Sequence, residues 1–250
     1  MQIKNVPAIT PRYWVAILVA SMCGANTGDF LSHNLHLGHW RGLPPLAIMF
    51  VAILWFEGRA RTATEAYYWL AIIVIRTAAT NLADLLTHDL KLGYAVIEPG
   101  LTLLLIVFGL ADRTRQPDST SLAGRRRPMV PTTSGLYWLA MLTAGTLGTA
   151  SGDFTAGVAG LGLFYGSAGL SVLFIGVLAV ACYLGDMSKP WYWASIVGAR
   201  TAGTTLGDML ASRHGLDLGL SFSTLLTGSM LAAVILVWPH RRDIVAVPVR

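Results

Sequence analysis

The chain has 250 residues, of which 54% are hydrophobic and only 12% are charged, and its formal net charge is +5. This composition excludes an ordinary soluble domain, in which about 25% of the residues are charged. The basic residues are scattered over short connections, so the positive charge is not that of a nucleic-acid-binding surface. Cys23 and Cys182 both fall in apolar segments, which gives no support for a disulfide framework or a thiolate metal site.

The apolar segments, taken in chain order, predict an all-α polytopic membrane protein with eight transmembrane helices. A helix crosses about 30 Å of hydrocarbon at about 1.5 Å per residue. The N-terminal segment resembles a signal peptide, but it leads directly into a repeated unit and is interpreted as an uncleaved first span. The second span is the weakest prediction, because Pro44 and Pro45 stand near its start. The predicted spans are 13–32, 42–57, 67–87, 93–111, 136–156, 162–184, 191–211 and 218–238.

A motif that starts with Tyr-Trp and has an Asp 15 residues after the Trp occurs four times. The two copies within each half are 55 residues apart, and the two halves are offset by 124 residues. A 55-residue unit accommodates two helices, so the sequence predicts two pseudo-symmetric halves of two repeats each. The Trp and Asp residues of the motif are Trp14 and Asp29, Trp69 and Asp84, Trp138 and Asp153, and Trp193 and Asp208.

The connections predict both the domain organisation and the orientation. We expect a first transmembrane half at residues 1–112, a cytoplasmic linker at 113–134, a second half at 135–240 and a cytoplasmic tail at 241–250. Two spans per repeat give every repeat the same orientation, unlike the inverted repeats of many transporters. Thirteen of the 18 Lys and Arg residues lie on the side of the termini, so the positive-inside rule predicts that both termini are cytoplasmic.

Small residues stand one and five positions before each motif Asp. This small-xxx-small pattern lets helix backbones approach closely, so the sequence predicts a ring or a paired core of the motif-bearing helices. The Tyr-Trp pairs are interpreted as anchors at the cytoplasmic membrane interface, where aromatic residues are enriched. The small residues are Gly24 and Gly28, Ala79 and Ala83, Gly148 and Gly152, and Gly203 and Gly207.

The four motif Asp residues are the main functional candidates, because a carboxylate in hydrocarbon is costly unless it is paired, hydrated or neutralised. The alternative is that each Asp caps a short turn that follows the helix. Threonines four and seven positions before the Asp predict a polar stripe on nearly the same helical face, unless each bonds back to its own helix. They are Thr80 and Thr77, Thr149 and Thr146, and Thr204 and Thr201; the first unit has Ala25 and Met22 instead.

Further polar residues fall within or beside the predicted spans. Arg76 and Arg200 lie seven residues after the Trp in the second and fourth units, deep enough to need a partner. Four Asp and two Arg sum to minus two, a charge that suits a divalent cation or two protons. Glu98 has no counterpart in the other units and is a secondary candidate. His33 and His88 each follow a motif Asp by four residues, which makes them candidate metal ligands; the alternative is solvated loop histidines.

The sequence carries no His-Glu-x-x-His, Gly-x-Ser-x-Gly, phosphate-loop or dinucleotide motif, so we expect neither an enzyme nor a bound cofactor. The favoured hypothesis is a transporter of a cation, such as manganese, magnesium or protons, through a pathway lined by the four Asp. Two alternatives stay open: a membrane scaffold or assembly protein with interhelical Asp-Arg pairs, and an anion or organic-acid carrier that uses Arg76 and Arg200. The expected partners are the lipid bilayer and a small cation, without nucleic acid.

The four Tyr-Trp to Asp units resemble a family of bacterial membrane-anchored proteins built from four tandem repeats. The resemblance implies two transmembrane helices and a shared tryptophan in each repeat. Together with the charge distribution, it implies the bacterial inner membrane as the location. The repeat of that family is a domain of unknown function, so the resemblance supports the architecture and contributes no mechanism.

Overall fold

The computed structural model describes residue 3 and residues 6–60, 64–111, 133–184 and 188–238. These residues form eight α-helices joined by short connections, which confirms the all-α prediction. The predicted linker, apart from residues 133 and 134, and the predicted tail lie outside the described residues. The helices are α1 (Pro11–Asp29), α2 (Gly38–Arg59), α3 (Glu65–Asp84), α4 (Tyr94–Ala111), α5 (Gly135–Asp153), α6 (Gly162–Tyr183), α7 (Lys189–Ala211) and α8 (Leu220–Val237).

Among the described residues, five helical segments are long and apolar enough to cross a membrane. A sixth, Tyr94–Gly109 in α4, is apolar but shorter. The helices α5 and α7 are less apolar because Gly, Ser and Thr replace large aliphatic residues along much of their length. The five segments are Pro11–Asn34, Gly38–Arg59, Glu65–Asp89, Gly162–Tyr183 and Leu220–Val237.

The second helix differs most from its predicted span. It begins at Gly38, before the predicted start at residue 42, and it continues through Pro44 and Pro45. Each proline lacks a backbone N–H and therefore removes one helical hydrogen bond. Membrane helices tolerate such positions when neighbouring groups satisfy the freed carbonyls. The two prolines therefore lie inside the helix and do not mark its start.

Three motif-bearing helices continue past their Asp as π-helical turns, at Phe30–Asn34, Leu85–Asp89 and Phe154–Val158. In the first turn, Leu35 N–H donates to the carbonyl of Phe30, five residues earlier, at 3.1 Å. The helix α7 has no such turn and ends at Ala211. None of the three Asp side chains makes a capping hydrogen bond, so the capping interpretation of these residues is wrong. Turns of this kind are rare and are frequent at functional sites.

The motif-bearing helices α1, α3, α5 and α7 form a closed ring, called here the inner ring. Each packs against the next in this order, and α7 returns to α1. A Cβ added to Gly24 would lie 2.6 Å from the Cβ of Arg76 on α3, and one added to Gly148 would lie 2.5 Å from the Cβ of Arg200 on α7. Gly203 faces Ser21 of α1 in the same way. The small residues therefore bring the helix backbones together, which confirms the predicted ring.

The even-numbered helices surround the inner ring. The helix α2 packs on α3, α4 on α5, α6 on α7, and α8 on α1. The second helix of each unit thus covers the first helix of the next unit, and α8 completes the circle. Arg12 of α1 donates to the carbonyl of Ile235 of α8 at 2.8 Å, which fixes this closure. Apolar side chains such as Leu103, Val172 and Leu225 are 62–70% exposed on the outside, as expected of a lipid-facing surface.

The Tyr-Trp pairs lie in the core of the protein. The four Tyr residues are at most 3% exposed and the four Trp residues at most 9%. The prediction of interfacial anchors is therefore wrong. Each Trp ring instead packs 5.9–6.0 Å from the Tyr of the preceding helix in the inner ring, and α1 packs in this way on α7. These contacts couple neighbouring helices at the end opposite the motif Asp residues.

Candidate functional site

Residues at equivalent positions of the four motif-bearing helices form layers across the inner ring. The layers recur at every fourth residue before the Asp, a spacing typical of i±4 ridges in small-xxx-small helix crossings. From the aspartate end to the tyrosine end the layers are Asp29, Asp84, Asp153 and Asp208; Ala25, Thr80, Thr149 and Thr204; Ser21, Arg76, Gly145 and Arg200; Ile17, Ile72, Met141 and Ile196; and Tyr13, Tyr68, Tyr137 and Tyr192.

The structure brings the four motif carboxylates together at the aspartate end of the inner ring. Each of them interacts electrostatically with the other three. Asp84 is 7% exposed, whereas Asp29, Asp153 and Asp208 are half-buried. Four like charges repel one another, so this arrangement requires a counter-charge or bound protons. The site therefore needs bound protons or a bound cation, and three of its four carboxyl groups are partly exposed at this end.

Histidines extend the aspartate end on the side of α2 and α3. His39 Nδ1 lies 3.0 Å from Asp89 Oδ1, and its Nε2 lies 4.0 Å from Asp84 Oδ2. His88 Nδ1 lies 3.7 Å from Asp84 Oδ1. The exposed His33 ring is centred 5.9 Å from the His39 ring. The sequence prediction included His33 and His88 but missed His39, in the first turn of α2, and Asp89, at the end of the π-helical turn that follows α3.

The predicted Asp-His metal ligands do not form a complete metal site. Within the described ranges, no group of three or more His, Cys, Asp or Glu residues is arranged to hold a metal ion. His88 lies beside Asp84, and His33 interacts electrostatically with Asp29, as their four-residue spacing predicts. Each pair supplies two groups at most, so a metal ion would need further ligands brought in by side-chain movement.

Arg76 lies inside the inner ring and joins three of its helices. Its Nη1 donates to the hydroxyls of Thr80 and Thr149, both at 2.8 Å, and its Nη2 donates to the hydroxyl of Thr204. The side chain is fully buried. Its charge interacts with Asp208, and also with the carboxylates of the first and third units. Arg76 is therefore directed towards the aspartate end.

Arg200 occupies the equivalent position in α7 but is directed the other way. Its Nη1 donates to Ser21 Oγ at 3.2 Å, and its Nη2 lies 3.8 Å from Met141 Sδ, one layer nearer the tyrosines. Its charge interacts with all four tyrosines of the last layer. Arg76 therefore interacts with the aspartate end of the inner ring, and Arg200 interacts with the tyrosine end.

Departures from the repeat explain why the two arginines differ. Arg76 donates to the hydroxyl of Thr149 on the next helix of the inner ring. The equivalent residue for Arg200 is Ala25 on α1, which has no hydroxyl. On the tyrosine side, the equivalent of Ser21 in the second half is Gly145, which offers Arg76 no hydroxyl. A guanidinium buried away from water needs acceptors. Arg76 has three hydroxyl acceptors on the aspartate side, and it already occupies Thr80 and Thr204, the two that Arg200 could share, so Arg200 turns to Ser21.

The arginines do not pair directly with the aspartates. Among the ion pairs of the described residues, none joins Arg76 or Arg200 to an Asp. The Nε atom of each arginine is also buried without a hydrogen-bond partner. The interhelical Asp-Arg pairs expected of a scaffold are therefore replaced by Arg-Thr and Arg-Ser hydrogen bonds.

Only one of the two threonine layers forms part of this network. The hydroxyls of Thr77, Thr146 and Thr201 donate to carbonyls of their own helices at 2.9–3.0 Å. Such back-bonding satisfies the hydroxyl locally. Thr80 and Thr204 also donate to carbonyls of their own helices, at 3.4 and 3.0 Å, but their oxygens and that of Thr149 accept from Arg76. The polar stripe that contacts Arg76 is therefore narrower than predicted and consists of these three threonines.

Glu98 lies on α4, outside the inner ring. It is half-buried in a shallow groove that Tyr94, Pro99 and Thr102 also line. One of its carboxylate oxygens is buried without a hydrogen-bond partner. Tyr94 interacts electrostatically with both Glu98 and Asp153, so Glu98 lies to the side of the aspartate end and does not belong to a layer.

The tyrosine end is closed by a cycle of hydroxyls, called here the tyrosine ring. The oxygen of Tyr13 lies 2.9 Å from that of Tyr68 and 2.8 Å from that of Tyr192. The oxygen of Tyr137 lies 2.7 Å from that of Tyr68 and 3.1 Å from that of Tyr192. In such a cycle each hydroxyl donates once and accepts once. The sequence prediction missed this ring, although the fourfold recurrence of Tyr was its signal.

The fold and the site define a protein with membrane-spanning helices, built from repeated helical units around a polar axis. Residues 12–62, 67–116 and 191–243 match the family model of a repeat of unknown function, DUF347, and the chain belongs to this family. The matched ranges include three of the four Tyr-Trp to Asp motifs. No curated protein and no solved structure matches the chain.

Proposed function

We propose that the protein is a transporter of a cation in the bacterial inner membrane. In this proposal all eight helices span the membrane as four two-helix repeats in two pseudo-symmetric halves, with both termini in the cytoplasm. The basic residues on the side of the termini support this orientation. The aspartate end then faces outward and the tyrosine end faces the cytoplasm.

The convergence of four carboxylates at one accessible end is the observation that carries the proposal. Such a cluster concentrates cations and offers the oxygen ligands that hard ions prefer. Two buried arginines offset part of its charge without forming direct ion pairs with it. The remaining negative charge is compensated by the transported ion, which is a proton or a divalent ion such as magnesium or manganese.

Arg76 supports a carrier mechanism in place of an open pore. Its guanidinium crosses the axis between the threonine hydroxyls directly below the aspartates. A cation that binds at the aspartate end repels this charge, and the repulsion grows in a low-dielectric interior. Ion binding would therefore weaken the Arg76-Thr hydrogen bonds and favour a rearrangement of α3, α5 and α7. His33, His39 and His88 would adjust the charge at the entrance.

One observation favours a second function, that of a non-transporting scaffold. Arg76 and the tyrosine ring together cross-link all four helices of the inner ring by hydrogen bonds. The cycle of tyrosine hydroxyls satisfies each of its members, and satisfied networks of this kind make a core rigid. In a scaffold, substitutions of the aspartates would lower stability without any ion flux to lose.

The test is ion flux into proteoliposomes that contain the purified protein. We expect uptake that Asp84→Asn and Asp208→Asn abolish, while both variants keep the elution profile of the folded protein. Asp217→Asn is the matched control, because Asp217 is an exposed carboxylate in the connection before α8. Flux should be measured with protons, magnesium, manganese and small anions in turn. Wild-type flux in both variants would exclude the carboxylates from transport, and anion flux would favour a carrier based on the arginines.

A further inference from the structure

The tyrosine ring leaves no passage for water or a hydrated ion along the axis. Its four oxygen-oxygen distances are 2.7–3.1 Å. A square with sides of this length has opposite corners about 4 Å apart, whereas a water oxygen at its centre needs about 2.7 Å to each hydroxyl oxygen. Neither a water molecule nor a hydrated ion fits between the four hydroxyls. The ring must therefore open before water or a hydrated ion crosses this layer.

The layer above the ring strengthens the closure. Ile17, Ile72, Met141 and Ile196 are all fully buried one layer nearer the aspartate end. Arg200 contacts Met141 from the other side and directs its charge towards the tyrosines. A cation that approaches the ring therefore meets an apolar layer and a fixed positive charge. Both raise the energy of a cation at this position.

The surroundings also hold the ring together from outside. Each motif Trp packs against the Tyr of the preceding helix in the inner ring. Separation of two neighbouring helices at this end would break one hydroxyl contact and one aromatic contact together. The four helix-helix contacts at the tyrosine end therefore form one cooperative unit, in which the opening of one contact strains the others.

We infer that the tyrosine ring, with the charge of Arg200 beside it on the axis, is the inner gate of the proposed transport pathway. This inference rests on the proposed function and adds the place at which the pathway is closed. The transported ion binds at the aspartate end while the gate is shut. Release to the other side requires the hydroxyl cycle to break and Arg200 to leave the axis.

The hydrogen-bond pattern of the tyrosine ring shows which two substitutions remove all of its hydrogen bonds. Tyr68 and Tyr192 lie opposite each other, and each bonds only to Tyr13 and Tyr137 within the ring. The double substitution Tyr68→Phe and Tyr192→Phe therefore removes all four hydrogen bonds and keeps all four aromatic rings. The matched control is Tyr165→Phe, because Tyr165 is 72% exposed on α6.

The gate is tested by accessibility, which does not depend on transport. Ile17→Cys places a thiol in the layer above the ring, in a background with Cys23→Ala and Cys182→Ala. A membrane-impermeant thiol reagent is applied from the tyrosine side. We expect the rate of labelling to rise at least about tenfold in the double variant, because the hydrogen bonds that hold the closed state are lost. The Tyr165→Phe control should label as slowly as the parent.

The outcomes separate the gate from the transport function. Equal labelling in the parent and the double variant, with ion flux intact, would overturn the gate and leave the proposed transport standing. Faster labelling in a protein without any ion flux would show that the ring closes this end while the proposed transport fails. Should Ile17→Cys not fold, Ile196→Cys probes the same layer from α7.

Discussion

Packing between α3 and α5 offers a sharp test of the inner ring. In three of the four contacts a Gly five positions before the Asp faces a larger residue on the next helix, as Gly148 faces Arg200. In the contact between α3 and α5 the roles are exchanged: α3 has Ala79, and α5 has Gly145. A Cβ added to Gly145 would lie 2.7 Å from the Cβ of Ala79.

The size of the effect follows from this distance. Ordinary van der Waals contact begins at about 3.4 Å, so Gly145→Ala forces the two helices apart by several tenths of an ångström. Overpacking of this kind costs about 1–3 kcal/mol. Ala has a higher helix propensity than Gly by about 1 kcal/mol, which offsets part of this cost in the single variant. Ala79→Gly loses the same propensity, so the double variant isolates the steric interaction.

A double-mutant cycle measures the contact. Unfolding free energies in detergent should be compared for the parent, Gly145→Ala, Ala79→Gly and the double variant. We expect a favourable coupling energy of about 1–3 kcal/mol, because Ala79→Gly removes the atom with which the new Cβ clashes. Gly176→Ala on α6 is the control, since nothing lies within 4 Å of its added Cβ. A coupling below about 0.5 kcal/mol would refute the close packing of α3 on α5.

Three further predictions concern the polar network and the buried aromatic residues. Arg76→Lys should lower the unfolding free energy, measured by chemical denaturation, more than Arg41→Lys does. The planar guanidinium of Arg76 donates to hydroxyls on three helices, and a lysine ammonium cannot reproduce this geometry. Thr149→Val should destabilise the protein by about 1–3 kcal/mol, because it leaves an Arg76 N–H buried without an acceptor; equal stability would contradict that bond. Brominated lipids should quench Trp40, which is 59% exposed, but not Trp69 at 2%, in variants that keep a single Trp.

The helical architecture was largely predictable from the sequence. The fourfold motif and its constant spacing located the helices, and the small residues beside each Asp predicted the inner ring. These signals are local, because each is read within one helix. The π-helical turn after Asp29 has no comparable signal, since its residues do not differ in type from those of a continuing α-helix.

The partners of the polar residues could not be predicted in the same way. A Tyr-Trp pair at a helix end is compatible with a position at the lipid interface and with a position in the core, so the sequence does not distinguish the two. Tyr13 lies next to Tyr192 only because the four motif-bearing helices form a closed ring. The acceptors of Arg76 likewise come from other units. Ala25 and Ser21 were visible as departures from the repeat, but their effect on the arginines depends on which helices are neighbours.

Ion binding at the four convergent carboxylates is tested most directly by thermal unfolding of the purified protein over a series of cation concentrations and pH values. A ligand of the folded state at a hundredfold excess over its Kd stabilises that state by about 2.7 kcal/mol. We expect one cation, or protons, to stabilise the parent and Asp217→Asn to this extent, and to have no effect on the combined Asp84→Asn and Asp208→Asn variant. Equal stabilisation of that combined variant would contradict binding at the aspartate end.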